Sequence, residues 1–352
     1  MNIAFVVHRY DAGEGTGGYV TELLPRVARD HEVTLYAADI VTPPPPGIPV
    51  HRVPAPRRPT TARILGFPLA FGAVRRRHDI VHAQGYVARS ADVVTTHIVL
   101  AAWRAAAGPA GALSPGERLV GPIVLAGERA MVRRARRVIA PSTATRDDLA
   151  RWYGRTDGVR VIPHGFTRRT GGARDRTMFD LPNDAFVALY VGDARKGLDP
   201  AIRAAAAAGT WLLVASHSRP ERWQALAREL GVASRVRWAG PVTDIARAYA
   251  AADALIHPTI YDSFGLAVAE AMAAGLPVVV SPQAGIAELV RDGENGLVAR
   301  NAAETHGALA RLAADRALGT RLGAAARRTA EQYTWDRTAA ATEAVYQEIR
   351  PR

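Results

Sequence analysis

The sequence predicts an α/β protein made of two doubly wound domains, and three observations carry the prediction. Short apolar runs recur from one end of the chain to the other. Within them the apolar residues are mostly consecutive rather than alternating, as in parallel strands covered on both faces. Between the runs lie stretches of 3.6-residue period, for example Val20, Leu23, Leu24 and Val27, which read as amphipathic helices.

Taken in order, strands are expected at residues 3–8, 33–37, 80–83, 93–97, 138–141 and 159–163. A second series is expected at 186–191, 211–215, 236–239, 255–258 and 278–281. Residues 167–184 are polar, Gly-containing and poor in apolar residues, which is a linker composition. The boundary is therefore placed near residue 170. This gives a Rossmann-like domain over 1–170 and a second over 171–334. Residues 335–352 form a C-terminal helix expected to pack back on the first half, with Ala340, Val345 and Ile349 among its apolar positions. The run of four prolines at 43–46 reads as a stiff loop after the second strand.

Composition bounds the function classes. With 352 residues, 48% hydrophobic and 22% charged, each half can bury a core of its own. There is no cysteine, which excludes a disulfide framework, a thiolate metal site and a cysteine nucleophile, and fits a reducing compartment. The first residues carry no basic leader or long apolar region, and no run approaches the roughly 18 to 20 residues of a membrane span. A cytoplasmic location is expected.

The net charge of +12 (45 basic minus 33 acidic residues) suits an anionic partner. Arg75 to Arg77 form one basic cluster, and Arg133, Arg134, Arg136 and Arg137 a second beside the apolar stretch 119–132. That stretch suggests a surface helix that could rest on the anionic inner face of a membrane, with a solvated basic face as the alternative. Specific nucleic-acid binding is not expected, because the clusters lack interleaved aromatics and no recognition motif is present.

Residues 13–18 (Gly13-Glu14-Gly15-Thr16-Gly17-Gly18) lie between the first strand and the first helix. They formally match G-x-G-x-x-G, with Asp39 at the end of the next strand where a ribose-binding acid would lie. An NAD-dependent oxidoreductase is one reading. Residues 9–13 separate the strand from the loop, however, whereas the dinucleotide fingerprint turns tightly off its strand. The same glycines could bring backbone N–H groups close to a phosphate or a sugar hydroxyl, or simply form a tight turn.

The most informative stretch runs from His257 to Pro277, and reads as strand end, loop, helix, glycine cap and next strand. Glu270 falls inside an otherwise small, apolar helix, where a carboxylate needs a partner. A ribose diol or a neighbouring arginine would serve. Asp262 and Glu270 could be taken for the acid pair of a glycosidase. Eight helical steps would span about 12 Å, beyond the roughly 5 to 9.5 Å such pairs need, but Asp262 is expected to precede the helix, so the spacing only disfavours that reading.

This stretch resembles the signature of retaining glycosyltransferases of family 4, which have the GT-B fold: two Rossmann-like domains facing across a cleft. The resemblance rests on Asp262, where the family usually has glutamate, followed by Phe264-Gly265-Leu266, Glu270 and Gly275-Leu276-Pro277-Val278. It extends through residues 93–97, 138–142, 159–165 and 250–258, essentially the whole chain. It is nearest the branch with lipopolysaccharide core glucosyltransferases, on the compressed Arg195-Lys196-Gly197 and on His257-Pro258 before the acid motif. It implies transfer of a hexose-type sugar from a nucleoside diphosphate sugar to an acceptor glycan, lipid-linked sugar or small molecule.

On that resemblance Glu270 bonds the donor ribose, Asp262 contacts the donor sugar, and Ser263, Phe264, Gly265 and Leu266 line the sugar and diphosphate, together with Gly17 and Gly18. The family usually carries arginine at the place of Asp193, so Arg195 is expected to take over that role beside Lys196, the chain's one lysine. Forked guanidinium and compact ammonium groups suit a departing diphosphate. His97 matches a family histidine near the reacting centre, with a hydrogen-bonded core histidine as the alternative. His164, His8 and His82 are weaker candidates. No metal site is expected, since no D-x-D lies at a strand end and no His/Asp cluster has ligand spacing; no cofactor is called for. A 2-epimerase acting on the nucleotide sugar would share this architecture and is the second reading.

Overall fold

Burial on both faces makes Ile3, Ala4, Phe5, Val6 and Val7 strand residues. They sit on the first strand of a parallel sheet in a computed structural model that describes residues 1–56, 60–167, 174–242 and 244–350. The chain divides into two compact units, one of residues 1–165 with 335–352 and one of residues 166–334. The expected boundary near residue 170 lies outside the described residues.

The first unit follows the order β1 (Asn2–Tyr10), α1 (Gly15–Val27), β2 (Glu32–Ile40), β3 (Val50–Arg52), α2 (Thr60–Val74), β4 (Ile80–Gln84) and β5 (Val93–Thr95). It continues through α3 (Leu100–Ala107), α4 (Pro115–Arg134), β6 (Arg137–Ala140), α5 (Thr143–Tyr153) and β7 (Val159–Val161). Its seven strands are parallel in the order β3-β2-β1-β4-β5-β6-β7, with Phe5 opposite Leu35 on one side and His82 on the other. Helix starts follow the local chemistry. Ser114 and Glu117 close a capping box on α4, and Ser142 accepts from the Thr145 amide at the start of α5.

The second unit runs β8 (Val187–Val191), α6 (Leu198–Ala207), β9 (Trp211–Ala215), α7 (Glu221–Glu229), β10 (Val236–Gly240), α8 (Ile245–Ala251) and β11 (Ala254–His257). Then come α9 (Leu266–Ala274), β12 (Val278–Val280), β13 (Leu297–Val298), α10 (Ala302–Ala314) and α11 (Arg316–Ala330). Its six parallel strands stand in the order β10-β9-β8-β11-β12-β13. One apolar layer, including Val187, Leu189, Leu255, Val268 and Met272, fills one face; Ala188, Tyr190, Ile202 and Leu309 fill the other. The order reverses between β8 and β11, a topological switch point of the kind at which open α/β sheets bind ligands.

The final helix, α12 (Trp335–Glu348), belongs to the first unit. Trp335, Val345 and Tyr346 join the cluster of Ile3, Phe5 and Tyr19. The Tyr346 hydroxyl lies 2.6 Å from His82 Nδ1, and Glu348 pairs with both Arg137 and Arg160. Among the described residues no helix is long and apolar enough to cross a membrane.

Candidate active site

Two segments leave the C-terminal ends of the neighbouring strands β8 and β11 at the switch point of the second unit. The first is Gly192 to Gly197; the second is the loop from Pro258 to Gly265. They are laced together at Gly197, where a Cβ would come within 2.4 Å of the Pro258 carbonyl oxygen. The Ile260 amide donates to the Lys196 carbonyl at 2.8 Å. Only glycine admits that approach.

The lacing brings Lys196 to Asp262, with Nζ 3.3 Å from Oδ2. His257 Nε2 reaches the same oxygen at 3.5 Å. Burial would raise the Asp262 pKa, but the Lys196 ammonium and His257 outweigh it and hold the carboxyl well below its usual range. Asp262 Oδ1 also accepts from the Phe264 amide at 3.3 Å, and the main chain of Asp262 is tied to Gln283 and Gly285. The carboxylate is therefore fixed from several sides before any ligand arrives.

Gly265, at φ 109°, turns this loop into α9, and Gly275, at φ 82°, ends the helix. The Val268 and Ala269 amides donate to the Gly265 carbonyl at 3.0 and 3.2 Å, so the Leu266 and Ala267 amides stand ahead of the first helical hydrogen bonds, which makes this end receptive to an anion. Ser263 and Phe264 are buried beneath it, and the Phe264 ring centre stands 6.1 Å from that of Phe166. Glu270 lies one turn on, part-exposed, and accepts from the Tyr249 hydroxyl at 3.0 Å. A tyrosine of α8 is thus one partner of this carboxylate in an apolar helix, and nothing in the sequence pattern marks it. His257 likewise stands out in the sequence only by its place before Pro258 in the motif.

Arg195 behaves differently from Lys196. It sits in the single turn Ala194–Lys196, and its guanidinium pairs with Asp193 at 2.8 Å. Among the described residues no group of three His, Asp or Glu side chains is placed to hold a metal ion.

The remaining candidates lie in the first unit. Gly17 is required by packing, since a Cβ there would fall 2.3 Å from the Asp11 carbonyl oxygen, and Gly18 follows it in the first turn of α1. Asp39 pairs with Arg63 at 2.9 Å. His97 follows β5; its Nε2 lies 3.0 Å from Gln84 Oε1, and its ring stands edge-on to Tyr19. Desolvation pushes its pKa down to about 3, so it is neutral near pH 7. His82 is a core residue, bridging Thr95 and Tyr346. His164 is buried against Tyr19 and Trp335, and His8 is edge-on to Phe67 with its pKa lowered by burial to about 4.

Residues 13–168 match the family model for Glycosyltransferase Family 4, and residues 185–315 that for Glycosyl transferases group 1. A D-inositol 3-phosphate glycosyltransferase of Acidothermus cellulolyticus is 31% identical over 393 residues, 96% of this chain and 86% of the relative. The protein so named from Streptomyces bingchenggensis is 34% identical over 254 residues, 63% of this chain. The match spans only about half of that relative's length, 55%.

Two solved structures share the fold. WaaG, a glycosyltransferase involved in lipopolysaccharide biosynthesis, has a TM-score of 0.80 at 22% identity, covering 98% of this chain and 99% of that one. Anabaena HepE in complex with UDP-glucose has a TM-score of 0.71 at 19% identity, covering 99% and 100%. With both parallel-sheet units matched to glycosyltransferase models and a relative aligned over nearly its whole length, the chain belongs to the family-4 glycosyltransferases of GT-B fold.

Proposed function

We propose that this protein transfers a hexose-type sugar from a nucleoside diphosphate sugar to an acceptor hydroxyl, with retention of configuration. The observation that carries the reading is the meeting of Lys196 and Asp262 at the switch point of the second unit. On this reading Glu270 takes the ribose hydroxyls, and Asp262, with the loop 263–266, takes the sugar. Lys196, Arg195 and the first-turn amides of α9 stabilise charge that builds on the departing diphosphate. The acceptor hydroxyl attacks from the face the diphosphate leaves. The donor class is supported by the neighbour solved with UDP-glucose, and family membership favours transfer over the epimerase and nicotinamide readings.

The first unit is assigned to the acceptor, with His97 as a neutral hydrogen-bonding group and Gly17 and Gly18 beside the donor. No metal is called for, because side-chain cations and helix amides meet the leaving charge; turnover should survive EDTA. The test is thermal stabilisation by UDP, GDP, ADP or dTDP, against NAD. A ligand at a hundred times its Kd adds about 2.7 kcal/mol. Stabilisation by one nucleoside diphosphate supports the donor site and names its base; stabilisation by NAD alone sinks it.

A second element of the reading concerns a surface. Leu119 and Ile123 are 80% and 63% exposed on one face of α4, and Arg118, Arg129, Arg133 and Arg134 are exposed along the same helix. We propose that this face rests on anionic lipid at the inner side of a membrane. Co-sedimentation with phosphatidylglycerol vesicles that is equal for wild type and L119D/I123D would rule it out.

A further inference from the structure

Resting on the donor-site reading above, we infer that Asp193 is a positioning residue that holds Arg195 ready and makes the nucleoside diphosphate compete for it. Five hydrogen bonds place Asp193 in command of the turn that carries both cations. Its Oδ1 caps the turn by accepting from the Arg195 amide at 2.9 Å. Its carbonyl accepts from the Lys196 amide at 3.0 Å and from the Tyr190 hydroxyl at 2.8 Å. Its carboxylate then takes the Arg195 side chain, with Oδ2 accepting from Nη2 at 2.8 Å and from Nε at 3.1 Å.

Ser218, from the loop after β9, completes the arrangement. Its hydroxyl accepts from the Ala194 amide at 3.1 Å and lies 3.4 Å from Asp193 Oδ1. Burial opposes ionisation of Asp193, but the Arg195 contacts prevail and the carboxyl stays ionised.

The consequence is electrostatic. Lys196 meets Asp262 and Arg195 meets Asp193, so each cation already has a carboxylate at hand. A guanidinium has five N–H donors and can hold a carboxylate and a phosphate together, but the carboxylate weakens its pull on the phosphate. The pair is about one-third exposed on each side, 36% for Arg195 and 33% for Asp193. That makes it a weak pair which a diphosphate can share or displace. Relative to an arginine at this place, the aspartate lowers the charge of the turn by two. Asp193 therefore orients Arg195 while preventing the product diphosphate from being held too tightly.

The test is binding of the nucleoside diphosphate (whichever of UDP, GDP, ADP or dTDP stabilises the wild type) and of its parent nucleoside. The variants are D193N, D193S and D193N/R195A. Asparagine and serine keep a capping oxygen and remove the charge. The expected result for D193N and D193S is a diphosphate Kd lowered about two- to fivefold. The nucleoside Kd should not change, and the gain should vanish in D193N/R195A. Equal or weaker diphosphate binding in D193N and D193S overturns the inference, as does parallel weakening of both ligands with a lowered Tm, which marks a scaffold only. A wild type that binds none of the four diphosphates overturns the donor-site reading itself.

Discussion

Lys196 Nζ and Asp262 Oδ2 stand 3.3 Å apart although 66 positions separate the two residues. The contact exists because β8 and β11 are neighbours at the point where the strand order reverses. It couples the turn that carries both cations of the site to the loop that opens α9.

Lys196→Ala removes one cation from the leaving diphosphate and one partner from Asp262. Loss of such a preorganised group costs about 10² to 10³ in kcat. It also leaves the largely buried Asp262 carboxylate with only some of its partners, among them His257 and the Phe264 amide, so a lowered Tm is expected beside the kinetic loss. Steady-state kinetics together with a melting curve separate the two effects; full activity in K196A would remove the assignment.

Tyr249→Phe tests how Glu270 is held. The phenylalanine keeps the ring in the core of the second unit and removes the donor to Glu270 Oε2. One hydrogen bond of about 0.5 to 1.5 kcal/mol predicts a donor KM raised roughly two- to tenfold with kcat little changed. A change in kcat alone would place Tyr249 outside ribose binding.

Glu128 makes stability depend on pH. Burial pushes its pKa up from 4.5 to about 7, against the Tyr153 hydroxyl and the Leu100 amide, which favour the carboxylate. The folded state therefore holds a proton that the unfolded state gives up at lower pH. Stability from this group is present below pH 4.5 and is lost as pH rises toward 7, by up to roughly 3 kcal/mol. Melting curves between pH 4.5 and 8 should show wild type losing stability relative to Glu128→Gln; parallel curves would contradict the shift.

Gly197→Ala tests the lacing of the two loops. The added Cβ meets main-chain atoms of Pro258, which cannot move without displacing Asp262. Overpacking of this kind costs about 1 to 3 kcal/mol, and activity should fall more than stability does. Wild-type turnover in G197A would show that the approach is dispensable.

The sequence made the alternation of sheet and helix legible because strands covered on both faces are continuously apolar, as in residues 187–191 and 278–280. It hid β3 and β13, whose three and two residues are too short to carry a period. The expected strand at 93–97 stops at Thr95, leaving Thr96 and His97 in the turn beyond it. Asp262, Glu270 and Lys196 were readable because motif spacing marks them. Tyr249 was not, since an aromatic in the small helix α8 has the pattern of an ordinary core residue. Asp193 was visible as a departure from the family pattern, but its grip on Arg195 depends on backbone direction after Gly192, which spacing does not encode.

The placement of α12 bears on the order in which the protein is made. The first unit is written in two pieces, with the whole of the second unit between them. As the chain leaves the ribosome, residues 166–334 emerge in full before Trp335 and Tyr346 do. The second unit can thus close its core during synthesis, while Tyr19, His82 and their neighbours wait uncovered for the closing helix. A nascent chain halted just short of α12 would carry one finished half and one with an open apolar seam, the kind of surface that chaperones hold.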